Sequence, residues 1–191
     1  MKYKIIFVFI VLILSLNIKA ENNKSHNSNH ATHVHGLAIL TLAIEDNMLE
    51  IQLESPAMNL LGFEHRANTP EEVQKVEKLE TLLNSPEKLF SIIGTQCEQK
   101  EITVDTSGVM NNEHEHLEHT EEHHPEEHHE NHSEVIAHYL FSCEKVKNLT
   151  DVSTRLFEFF PAIEKINAMW VTQSKQGAAI LSTDNHTLHL R

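Results

Sequence analysis

Glycine is scarce in this 191-residue chain, with five in all. A glycine-rich phosphate cradle therefore has little to be built from, and no such motif occurs. No Ser/His/Asp arrangement suggests nucleophilic catalysis. Cysteine is limited to Cys97 and Cys143, and neither sits in a CxxC. Cations are few: Lys and Arg number 15 against 28 Asp and Glu, a formal net charge of −13. That balance argues against nucleic acid or an anionic membrane as partner. Beyond the first 20 residues no apolar run is long enough to span a bilayer, which takes ~20 residues.

Histidine is abundant, with 16 copies. Half of them lie in Glu113–Glu134: His114, His116, His119, His123, His124, His128, His129 and His132. The same 22 residues hold nine glutamates and one large apolar residue, Leu117. Such a composition cannot build a core, so a disordered insert is expected. Imidazole nitrogens and carboxylate oxygens are what borderline divalent metals prefer, zinc above all, with nickel or copper as alternatives. Glutamate alone would serve a solvated linker, and the imidazoles would then be superfluous. His119/His123 and His124/His128 are i,i+4 pairs that one helix face would bring together, whereas His114/His116 pair in an extended form. His119–His123 formally matches H-x-x-E-H, a zinc-protease signature. A catalytic version needs a helix held by an apolar face, which this tract lacks, so no enzyme is expected.

The chain opens with Lys2 and Lys4, an apolar run from Ile5 to Leu14, and a small residue, Ala20. This reads as a cleaved signal peptide over 1–20. No cysteine follows for lipid attachment. In an exported chain, Cys97 and Cys143 read most simply as a disulfide. It would close a loop of nearly fifty residues, worth roughly 4 kcal/mol in the chain-entropy model, and would pin both stalks of the insert. The rival reading, two thiolate ligands, conflicts with an oxidising compartment.

The body reads as α+β: antiparallel β-hairpins with short helices and the His/Glu loop inserted. Residues 21–32 form a flexible arm, and 33–191 a single metal-binding domain with its mobile loop at about 108–133. Period-two alternation gives a hairpin over 36–54, turning at Glu45-Asp46-Asn47. Extended backwards, it puts His33 and His35 on one wet face, a common start to a metal site. Residues 56–63 make a short helical turn, after which at most one of Glu64 and His65 faces any site. Thr69-Pro70-Glu71-Glu72 is a capping box opening a helix. Ser85-Pro86-Glu87 starts a second helix carrying Leu89, Phe90 and Ile93 and stopping at Gly94. Strands follow at Cys97–Val104 and Val135–Cys143, with His138 read as structural. Lys165–Thr172 and Ala178–Ser182 form a hairpin turning at Gln176-Gly177, and a last strand covers Thr187–Leu190. A faint echo between 36–104 and 134–183 suggests two similar lobes.

HVHG at 33–36, LTLAIE at 40–45, ESPAMNLLGFEH at 54–65, LF at 89–90, the His/Glu tract between the cysteines, LFEFFP at 156–161 and WVTQSKQGAA at 170–179 occur in this order. Together they resemble the ZrgA-type periplasmic zinc-binding proteins of Gram-negative bacteria. The resemblance implies periplasmic zinc capture in concert with an inner-membrane importer under zinc limitation. It also implies that His33 and His35 lie close to Glu64 and His65. The tract here is shorter and more glutamate-rich than the family's usual one. A metal buffer or resistance protein has the same ligand inventory. An acidic module contacting a basic partner is the reading without metal, and high salt would abolish its binding. Nothing in the pattern specifies an oligomeric state.

Overall fold

A computed structural model describes residues 34–110 and 133–190. The expected signal peptide and arm, His33 and all eight tract histidines (His114, His116, His119, His123, His124, His128, His129 and His132) lie outside the described residues. Those described all belong to one compact unit, Thr32–Arg191.

The predicted first hairpin is present, as β1 (Leu37–Glu45) and β2 (Met48–Pro56). Leu40 faces Leu53, Leu42 faces Ile51 and Ile44 faces Leu49, so the alternating apolar residues stack as cross-strand pairs on one face. The alternation does not reach back to His35. Gly36 has φ +83°, a left-handed conformation that ends the extended run, and β1 starts one residue later.

The next segment is α1 (Ala57–Leu61), then α2 (Pro70–Leu83), opened by the expected capping box. Thr69 Oγ1 accepts the Glu72 N–H, and Glu72 Oε2 accepts the Thr69 N–H. The second expected helix is a single turn, α3 (Pro86–Leu89). Phe90–Ile93 is instead a strand, β3, because its backbone pairs with β6 (Asp151–Thr154). Tertiary pairing has overridden the local helical reading. Then come β4 (Cys97–Asp105), β5 (Glu134–Cys143), α4 (Leu156–Phe159), β7 (Lys165–Thr172), β8 (Gln176–Leu181) and β9 (Thr187–His189).

Six strands form a mixed sheet in the order β4-β5-β2-β1-β7-β8, and three form a second sheet, β3-β6-β9. Among the described strands only the β1–β7 pairing is parallel. The architecture is mainly β with short helices. Both sheets draw strands from both halves of the sequence, so the halves interleave and do not make two lobes. Gln176 and Gly177 lie in β8 and not in its turn. Gly177 sits opposite Trp170, where a Cβ would come within 2.7 Å of the indole. Close approach, not a turn, explains that glycine.

The large sheet buries one face: Leu40, Leu42, Leu49, Ile51, Leu53, Tyr139, Ile166 and Ala168 are essentially inaccessible. Val76, Leu79 and Leu83 of α2 join the same core, as do Val152, Leu156 and Leu188. Phe90 meets Tyr139 edge-on, with ring centroids 5.4 Å apart.

Candidate metal centre

The site begins with one buried amide. Asn59, 3% exposed on α1, accepts the Gly36 N–H at 2.8 Å and donates to the Leu37 carbonyl at 2.9 Å and to Ser55 Oγ at 3.2 Å. Nearly all its hydrogen-bonding capacity is used. The Gly36 carbonyl accepts from the Glu164 and Lys165 N–H groups, and the Glu164 side chain closes over the glycine. The turn that carries His35 is thus held on both sides.

On the other wall, Gly62 caps α1 in the left-handed conformation, its N–H bonded to the Met58 carbonyl. Phe63 is buried and anchors the next few residues. Glu64 and His65 then diverge, as adjacent side chains should. The His35 Nε2 lies 3.1 Å from Glu64 Oε1, and the Glu64 side chain is 13% exposed. His65 Nε2 lies 3.0 Å from Glu72 Oε1, and its ring stands 5.0 Å from that of Phe63.

Glu72 is the carboxylate with a defined electrostatic setting. The Asn68 backbone N–H holds it below the ordinary glutamate value of 4.5, with His65 and the Thr69 N–H adding to the effect.

A nitrogen and an oxygen 3.1 Å apart, His35 and Glu64, suit zinc in chemistry and supply two of the four donors it usually takes. Among the described residues no group of three His, Cys, Asp or Glu side chains is placed to hold a metal ion. The structure therefore joins two of the expected ligands, His35 and Glu64, and turns the third, His65, toward Glu72. The cysteines form a disulfide, Cys97–Cys143, which removes the thiolate reading. Sequence reasoning missed Asn59 and the pairing of Glu72 with His65. The one available signal for Asn59 was a lone amide inside the apolar run AMNLLGF.

The roots of the His/Glu tract are visible. The Val109 carbonyl accepts the Ala67 N–H at 2.8 Å, and the Ser133 carbonyl accepts the Ala57 N–H at 2.8 Å. Ser133 Oγ also donates to the Gly108 carbonyl, tying the two roots together. Ala57 and Ala67 bracket the segment that carries Glu64 and His65. The disulfide does not pin these stalks. It joins Cys97 to Cys143 directly across β4 and β5, at the end of the pair away from the tract.

His138 is not a core residue. It lies on the open face of the large sheet, 3.4 Å from Glu50. His189 pairs with Asp151 across β9 and β6.

A family model described as ZrgA family zinc uptake protein matches residues 32–190. No curated protein matches the chain. The chain belongs to the ZrgA family, and its function is tied to zinc.

Proposed function

We propose that this member of the zinc uptake family captures zinc in the periplasm and delivers it to an inner-membrane importer. An ordered site around His35 and Glu64, completed by His33 and His65, holds one ion tightly. The histidines and glutamates of the tract collect further ions and pass them to it. Nickel and copper fit imidazole as well, so zinc preference rests on the family.

One observation carries this reading. Both roots of the tract are hydrogen-bonded to the ends of the short segment bearing Glu64 and His65. Tethering there raises the effective concentration of tract-bound metal at the ordered pair without any further contact. The apolar run after Lys2 and Lys4 and the Cys97–Cys143 disulfide both fit an exported protein. Fixed negative charge in the tract draws in cations and offsets that of a bound ion.

The test is physiological. Cells lacking the protein should grow poorly when a chelator removes zinc, and the wild-type chain should restore growth where a His35→Ala/Glu64→Ala chain does not. Normal growth under the chelator, with sensitivity to excess zinc instead, would mean storage and not uptake.

A further inference from the structure

Glu72 uses its two oxygens differently. Oε2 accepts the N–H groups of Asn68 and Thr69, at 3.0 and 3.2 Å, and so caps the 14-residue helix α2. Oε1 is turned to His65 Nε2 at 3.0 Å. An ionised carboxylate can only accept, so Nε2 must carry the hydrogen, and in a neutral imidazole the lone pair is then on Nδ1. The Phe63 ring, tilted 40° to the imidazole at 5.0 Å, bounds the His65 ring from another side. Glu72 cannot swing to a metal itself without releasing the two backbone N–H groups of the cap.

We propose that Glu72 is a positioning residue for the zinc site: it fixes His65 as the Nε2–H tautomer and so presents Nδ1 as the ligating atom. This rests on the reading of His65 as a zinc ligand under the proposed function. A carboxylate behind a metal-bound histidine orients the ring and raises its basicity, and its loss typically weakens binding by about 10–100-fold. Here the same carboxylate is locked by a helix cap, so the cap and the ligand are set by one side chain.

Glu72→Gln separates the two roles. The glutamine oxygen can still accept from Asn68 and Thr69, since glutamine serves in a capping box as glutamate does. Its amide then turns N–H donors toward His65 Nε2, which favours the Nδ1–H tautomer and takes away the lone pair. The experiment uses the chain from Glu21 onward. Two-bond 1H–15N correlation of the imidazoles, without metal and at about pH 8, reports the tautomer, with His65 assigned by its absence in His65→Ala. Competition with a chelator reports the affinity for the first zinc, and thermal melting reports the cap. The expected results are Nε2–H in the wild type, Nδ1–H in Glu72→Gln, first-zinc affinity down by about 10–100-fold, and a melting midpoint lowered only slightly, because the amide keeps the cap and loses only the charge. Thr69→Ala should do the reverse, lowering the midpoint and leaving zinc alone. A wild-type His65 in the Nδ1–H form would overturn the inference. So would unchanged zinc affinity in Glu72→Gln where His65→Ala weakens it. If His65→Ala leaves the first zinc untouched, the ligand assignment fails and the inference falls with it.

Discussion

Two regions of this chain offer metal ligands, and they are specified in opposite ways. The His35–Glu64 pair depends on single residues: Asn59 clamps the Gly36 turn, Gly62 ends α1, and Phe63 anchors the backbone bearing Glu64. The tract depends on composition, eight histidines and nine glutamates in Glu113–Glu134 with no apolar pattern to fix any of them. A site built from singular residues offers one geometry and is broken by one substitution. A site built from composition offers many overlapping geometries and is nearly indifferent to any one. Under the proposed function, the result is an affinity gradient from many weak donors to one strong pair.

The largest expected effect tests whether fold stability and zinc binding are separable. Replacing both cysteines by serine removes a cross-link spanning 46 residues, and the chain-entropy model puts the loss at about 4 kcal/mol. Urea unfolding should show that loss, while zinc stoichiometry stays the same below the new transition. A parallel loss of zinc in the folded protein would break the separation.

Asn59→Ala comes next. It leaves the Gly36 N–H and the Leu37 carbonyl without their buried partner, which should cost about 2–3 kcal/mol. The first zinc should weaken with it and the later ones should not. His116→Ala, a single change inside the tract, should shift neither stability nor total zinc measurably by calorimetry.

Acid should separate the regions a third way. Tract imidazoles must be neutral to ligate, so zinc should leave it as pH falls through about 6.5. Glu72 is different. Its folded value is depressed by the Asn68 N–H, so the stability it contributes is fully present above 4.5 and is lost only as pH falls through the lower folded value. A pH titration followed by zinc release and by the thermal melting midpoint should show the metal leaving first and the contribution of the Glu72 cap lost only below 4.5. Coincident transitions would contradict this.

The smallest measurable shift lies in the core. The Tyr139 hydroxyl is buried with no hydrogen-bond partner among the described residues, and burial pushes its ionisation well above the ordinary tyrosine range. Tyr139→Phe should raise stability by about 1 kcal/mol in urea unfolding and leave zinc untouched.

What could be read without coordinates was local. The period-two runs of β1 and β2 and the capping box at Thr69 announce themselves within a few residues. The parallel pairing of β1 with β7, the conversion of Phe90–Ile93 into a strand, and Gly177 beneath Trp170 depend on partners far along the chain. The site divides likewise. Spacing alone offered His33 and His35 as a pair, whereas the nearness of His35 to Glu64 was implied only by family resemblance. Asn59 stayed hidden because its partners Gly36 and Leu37 come from another element, whereas Glu72 was legible as a cap and only its second contact, with His65, was not.

The central claim is that an ordered site exists apart from the tract. Calorimetric titration of zinc into a chain lacking residues 113–132, which keeps the roots at Val109 and Ser133, tests it most directly. One tight zinc should remain, and His35→Ala/Glu64→Ala in that background should abolish it. If the deletion alone removes all zinc binding, the folded body is a scaffold and the tract is the whole binding device.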